Sequence, residues 1–531
     1  MTTQYVPELL PVIPDELLAE VAENHGVCAR PVLREVTDTA TGESELVPIP
    51  CGSTREKVCP PCAAKARRLR MQQCRDGWHR TDDPADHDQA DDPADDPAPT
   101  PEPEGEGAAR GEGPPVRRRS TRRLAQFPPL PVAPMERRTV GRELTSPSGE
   151  TYRPSTFLTL TLPSYGPVHT DGTPEDPESY DYRRAALDAL HFAKLMDRFW
   201  QNLRRCAGYK VQYFGCVEPQ RRLALHAHAA VRGAIPRGLI QAVAAATYEQ
   251  VWWPAHDEPV YVVGHLPVWD DRSSVYVDPD TLMPLRSWEQ AMDATYNPDA
   301  DAAHVLWFGE QVDSQWFIPG SPRTDRRVGY ICKYLTKSIA EAYDADAMSP
   351  RQARHLRRLH REVRWLPCCP ECPNWLRYGI TPKDAEARML PGHCPRSAHD
   401  LENLGHGGRR VLVSRDWSGR TLAEHKADRA AVVRAALAEA GIETPATDRW
   451  SADQMGDDGT SRYLWEPVDI SPGSDVETYR VILRRQITER LRWQHEYAAA
   501  KAALEVARPP DYTRSATGPE SVTTAAPVRK E

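Results

Sequence analysis

Apolar and polar positions alternate most cleanly between residues 157 and 231. Residues 157–162 (FLTLTL) set apolar side chains against threonines at period two, which predicts a strand stopped by Pro163. Over 182–206 the period becomes helical. Leu187, Leu190, Met196, Phe199, Trp200 and Leu203 share one side, and Gly208 stands just past the end. Residues 211–218 and 223–231 read as two more strands, joined as a hairpin by the short PQRR. After a polar, proline-containing loop, residues 328–338 have helical spacing.

Composition divides the rest of the 531 residues. Residues 1–80 form a Cys-rich module. Residues 81–135 are an acidic, Pro-rich segment whose self-repulsion predicts a disordered linker. Residues 136–345 hold the main α+β domain, and 346–420 a second Cys/His-rich basic module. Residues 421–507 are mainly helical, and 508–531 are a polar tail expected to be disordered. The formal charge of -9 comes from one place, because residues 81–115 alone carry twelve Asp/Glu against one Arg. Without that segment (-9 + 11) the remainder stands at +2, with strongly basic patches, so a nucleic-acid partner fits. No apolar run suits a membrane span and the N-terminus does not read as a secretory signal, so a cytoplasmic protein is expected. No GxxxxGK[ST] loop occurs, which speaks against an ATPase.

Within LHAHAAVRG (225–233), His226 and His228 are two apart on a predicted strand and point to one face. A hairpin pivoting at Arg222 pairs Glu218 with His226, so two imidazoles and a carboxylate converge as ligands for one divalent metal. The plainer alternative is a pair of half-buried strand histidines. In VGYICKYLTKS (328–338), Tyr330 and Tyr334 lie one helical turn apart, as do Lys333 and Lys337. A phenol with an ordinary pKa of about 10 is a weak nucleophile unless a metal or ammonium stabilises its anion. The plainer alternative is an amphipathic helix with Tyr inward and Lys at the rim. Only ten lysines stand against 57 arginines, so two of them here are informative.

Twelve cysteines with CxxC pairs suggest metal sites rather than disulfides in a cytoplasmic chain. Cys28, Cys51, Cys59 and Cys62 make one candidate zinc set, with Cys74 and His79 nearby. Cys369, Cys372, Cys394 and His399 make a second, in which Cys368 or His393 can substitute. Residues 351–364 place Arg351, Arg354, Arg357, Arg358, Arg361 and Arg364 on or near one helical face with a single Glu, which reads as a phosphate-contacting surface. Trp252, Trp253, Trp307 and Trp316 can stack bases, although such residues more often belong to a core.

In chain order, FLTLT, a helix, a Glu-bearing strand, HxH and then YxxKYxxK resembles the HUH endonuclease superfamily, and the paired Tyr-x-x-Lys resembles its two-tyrosine initiators. With the Cys-rich flanks, the chain resembles the RepSA-like replication initiators of actinobacterial plasmids and integrative elements. About a hundred residues separate HxH from the tyrosines, so an insertion fills that gap. The resemblance implies an α+β fold: an antiparallel-sheet HUH core with small zinc-binding modules and a helical C-terminal region. It implies Mg²⁺ or Mn²⁺ held by His226, His228 and Glu218. It also implies a 5′-phosphotyrosine formed by Tyr330 or Tyr334, with Lys333 and Lys337 positioning the phosphate or stabilising the tyrosinate. The implied function is rolling-circle initiation on origin DNA, duplex and single-stranded, with a host helicase and polymerase as partners. A conjugative relaxase and a non-catalytic, zinc-containing DNA-binding regulator are the rival expectations. HxH preceding Tyr favours replication over conjugation.

Overall fold

The computed structural model describes residues 14–78, 80, 123–297, 300–318, 321–333, 339–343, 347–439, 454–456, 459–468 and 476–507. It divides into two compact units, residues 52–425 and residues 1–51 with 426–531.

The larger unit is built on a five-stranded sheet. Its strands are β1 (Ser155–Thr161), β2 (Tyr213–Pro219), β3 (Leu225–Val231), β4 (Val312–Phe317) and β5 (Val411–Val413), in the order β4-β1-β3-β2-β5. Every neighbouring pair is antiparallel. Four helices matter to the site: α1 (Pro60–Trp78), α2 (Tyr182–Ala207), α3 (Pro322–Lys333) and α4 (Pro350–Trp365).

The period-two pattern sorts the strands into two faces. Leu158, Leu160, Val217, Leu225, Ala227, Ala229 and Val231 enter one core with the apolar side of α2. There Phe192, Leu195, Phe199 and Leu203 are fully buried, each contributing on the order of 1.5–3 kcal/mol by apolar burial. The Asp181 carboxylate caps the start of α2 by accepting from the Arg184 N–H, and Gly208 ends it at φ 71°. Helix α4 lies outside this layer, with Leu356, Leu359 and Val363 in the same core.

The intervening residues face the other way. Phe157, Phe214, Cys216 and Ala230 join Cys74 and Trp78 of α1, Val328, Ile331 and Cys332 of α3, and Trp417 in a second core. Gly77 is needed where α1 meets Trp417, because a Cβ there would stand 2.2 Å from the indole. The α3 helix begins at Pro322, six residues before the point read from the sequence. Proline is well placed in a first helical turn, where a missing N–H costs nothing, so it opens this helix instead of marking a loop.

The insertion between β3 and β4 packs with the second Cys module. Trp375 makes edge contacts with Trp253, His256 and Trp288, and the Tyr276 hydroxyl donates to the Glu386 and Met389 carbonyls. Residues 123–135 fall in the stretch that composition assigns to the linker, and they pack as well. Phe127 is buried and stacks on Tyr248 at 4.2 Å. Charge ends before FPPLP, and the apolar residues that follow have surface to bury.

In the smaller unit, Val32–Asp38 is the central strand between Ser44–Ile49 and Tyr463–Pro467, both antiparallel to it. Arg462 pairs with Asp38 at 2.8 Å, and its guanidinium holds the Asp38 carboxyl below the usual range. Helix Leu18–Asn24 packs on Val476–Ala507 through Leu18, Ala22, Leu483 and Ile487. Among the described residues, no helix is long and apolar enough to cross a membrane.

Candidate metal and tyrosine site

The β2–β3 hairpin pairs Glu218 with His226 and Cys216 with His228. On its other side β3 pairs Thr159 with His228 and Thr161 with His226. One face of three adjacent strands therefore carries the carboxylate, both imidazoles and two hydroxyls. One ligand atom from each of Glu218, His226 and His228 lies within 4.8 Å of the others. The two Nε2 atoms are 2.9 Å apart, and Glu218 Oε2 is 3.9 Å from His226 Nε2.

This set fits a hard or borderline divalent cation. Two ligands at right angles, each ~2.1 Å from an ion, are about 3.0 Å apart, close to the observed Nε2 separation. Burial holds the His226 pKa down to about 4 and that of His228 to about 3, so both rings are neutral ligands at pH 7. Burial pushes Glu218 up to about 7, against the Cys216 thiol that donates to Oε1 at 2.9 Å and the charges of Arg410 and Lys333. The His226 ring is met by the main chain of Glu218, and no side chain approaches its buried Nδ1.

Helix α3 brings Tyr330 over this face. Its hydroxyl is 3.2 Å from His228 Nε2, and its ring meets the His228 ring edge-on at 5.1 Å. Phe157 stacks on His228 and stands edge-on to Tyr330. Arg327, one turn before Tyr330, has its guanidinium 4.8 Å from the Phe157 ring centre and 6.0 Å from that of Tyr330. Lys333 is exposed at the end of α3. Tyr334 and Lys337 lie outside the described residues.

Sequence reading passed over Phe157, Thr159, Cys216, Arg327 and Arg410. The signal for the first three was available: they share the period-two face of the strands that carry Glu218 and HxH. The arginines belong to helical and edge segments whose approach to the site no local pattern encodes.

The second Cys module brings Cys368, Cys372, Cys394 and His399 within 4.8 Å. Cys368 takes the place that the spacing gave to Cys369, whose thiol lies beside the group and not within it. Cys369 Sγ lies 3.7 Å from Cys368 Sγ, and its carbonyl accepts from the Trp375 indole N–H. His399 Nδ1 faces the Val363 carbonyl at 2.9 Å, so that nitrogen carries the proton and Nε2, 3.6 Å from Cys372 Sγ, keeps its lone pair. The hydrogen bond from Cys368 holds Cys394 well below the ordinary thiol value. This group can hold a metal such as zinc. Zinc analysis of single variants checks the assignment: Cys368→Ser should lose about one zinc per chain, and Cys369→Ser none. Equal loss from both would defeat it.

Of the N-terminal set, Cys28 and Cys51 belong to the smaller unit, where the Cys51 N–H donates to Cys28 Sγ at 3.3 Å. Cys59 and Cys62 belong to the larger, buried at the start of α1. His79 lies outside the described residues, and Cys74 is in the core beneath α3. None of the twelve cysteines is in a disulfide. The six arginines of α4 are all exposed, on the opposite side of the sheet from the histidines.

Fold and site define a mixed protein whose antiparallel sheet joins two imidazoles, a carboxylate and a phenol on one face. The chain belongs to the RepSA replication initiator family, whose model, described as "Replication initiator protein, pSAM2", matches residues 16–466. A replication initiator protein of Streptomyces ambofaciens is 35% identical over 155 residues, covering 20% of this chain and 34% of that protein. The chain thus matches about a third of that relative's length. No solved structure matches the chain. Family membership supports an initiator role.

Proposed function

We propose that the protein starts rolling-circle replication by nicking one strand of an origin through Tyr330 and later rejoining it. The observation that carries this reading is the Tyr330 hydroxyl 3.2 Å from His228 Nε2, beside His226 and Glu218. The phenolic oxygen attacks the scissile phosphorus and loses its proton to solvent. A P–O bond to tyrosine forms as the P–O3′ bond breaks, and the departing 3′-oxygen takes up a proton. The products are a 5′-phosphotyrosine and a free 3′-hydroxyl for a polymerase. Because the bond energy is kept, rejoining needs no ATP. His226, His228 and Glu218 would hold Mg²⁺ or Mn²⁺, which would supply Lewis-acid polarisation of the phosphate when bound. Arg327 and Lys333 add positive charge toward phosphate and phenolate. From sequence spacing, Tyr334 performs the second cleavage and Lys337 assists it.

The arginines of α4 hold duplex phosphates at the origin. Zinc in the Cys modules is structural, including the Cys28/Cys51/Cys59/Cys62 set drawn from spacing. A host helicase opens the duplex in the cytoplasm.

The test is incubation of the full chain with labelled single-stranded origin DNA and Mn²⁺. The expected product is an SDS-resistant protein–DNA adduct that EDTA prevents. No adduct with any origin segment, at concentrations where DNA is bound, would leave only a DNA-binding role.

A further inference from the structure

We propose that Thr159 is a positioning residue that fixes which nitrogen of His228 is offered to the divalent ion. This deepens the metal-site reading above and rests on it. Thr159 sits directly across the β1–β3 ladder from His228, and its Oγ1 is 2.8 Å from His228 Nδ1. The other nitrogen, Nε2, is the one turned toward His226 Nε2 and the Tyr330 hydroxyl. An ion on that side needs the Nε2 lone pair, so the ring proton must reside on Nδ1. A buried N–H needs an acceptor, and the Thr159 hydroxyl oxygen is at hydrogen-bond distance.

The other threonine on that face, Thr161, does not do the same for His226. Thr161 lies across from His226, but its hydroxyl donates to the Gln311 carbonyl at 2.8 Å. No side chain meets His226 Nδ1, and that ring is met by the main chain of Glu218 instead. The support is therefore one-sided. His228, the ring that also touches Tyr330, is held in tautomer and orientation, while His226 is oriented by its strand and by the ion. Phe157, stacked 5.7 Å from the His228 ring at an 18° interplanar angle, limits rotation of the same ring. The alternation in FLTLT thus has a use beyond packing: its first and third residues clamp one imidazole by its face and by its Nδ1 edge.

The experiment compares Thr159→Val, which keeps the shape and removes the hydroxyl, with Thr159→Ser, which keeps the hydroxyl. Mn²⁺ affinity is measured on the zinc-replete full chain without DNA, and ¹⁵N-histidine NMR reads the His228 tautomer, with His228→Gln assigning the signal. Thr159→Val is expected to weaken Mn²⁺ binding by about 10–100-fold, the usual cost of losing a hydrogen bond behind a ligand. It should also convert a single Nδ1–H tautomer into a mixture. Thr159→Ser should restore both. Equal Mn²⁺ affinity in wild type and Thr159→Val overturns the inference, and so does a Thr159→Ser variant as impaired as Thr159→Val. A wild-type chain that binds no Mn²⁺ defeats the metal-site reading itself, a result distinct from either.

Discussion

Replacing Tyr330 by Phe is expected to reduce nicking of origin DNA by at least ~10³-fold, or about 4 kcal/mol of transition-state stabilisation. The variant lacks one oxygen, the atom that stands 3.2 Å from His228 Nε2. The ring survives, and with it the edge-on contacts to Phe157 and His228, so folding should be unaffected. Origin binding should change little, because phosphate contacts elsewhere supply most of it. The measurement is the yield of SDS-resistant adduct per unit time, beside a melting curve for each protein. An unaltered adduct yield in Tyr330→Phe would remove Tyr330 from the first cleavage and leave that step to another nucleophile.

The second large effect is expected from His228→Gln. His228 is the residue on which the site converges: Thr159 at Nδ1, His226 and Tyr330 at Nε2, and Phe157 on its face. Its loss removes a ligand outright, so Mn²⁺ binding should weaken by more than ~100-fold, beyond the usual cost of changing a group behind a ligand. Nicking should fall to background, with origin binding by the zinc-replete protein in the absence of Mn²⁺ retained within about twofold, as expected if duplex phosphates are held away from the ion. Titration of Mn²⁺ and a gel-shift assay read the two properties independently. Wild-type Mn²⁺ affinity in this variant, or nicking that persists in EDTA, would remove the ion from the mechanism.

Much of the site was legible because it is written in short-range periods. A two-residue repeat put His226 and His228 on one face, and the symmetry of a short hairpin put Glu218 opposite His226. The amphipathic stretch ending before Gly208 became α2 with its left-handed cap. What local patterns did not carry was contact between distant segments. Tyr463–Pro467 pairs with Val32–Asp38 across more than four hundred residues, and nothing in either segment names the other. The edge strand β5 and its neighbour Arg410 reach the site in the same way. The Cys368/Cys369 exchange has a different cause. Cys369 stands at x₂ and Cys368 at x₃ from Cys372, both within the range zinc ligands use, and only the placement of each thiol in the folded loop separates them.

The placement of α4 bears on how DNA would travel. Its arginines lie outside the α2 layer, while the phenol lies on the far side of the sheet. At ~10 Å per packed layer the two surfaces are separated by roughly 20 Å of protein, about six base steps of duplex rise. If both engage one molecule, the recognised stretch and the cut bond cannot coincide. The strand has to bend round the rim of the sheet between them, so the nick would fall about half a helical turn or more from the phosphates gripped by the arginines.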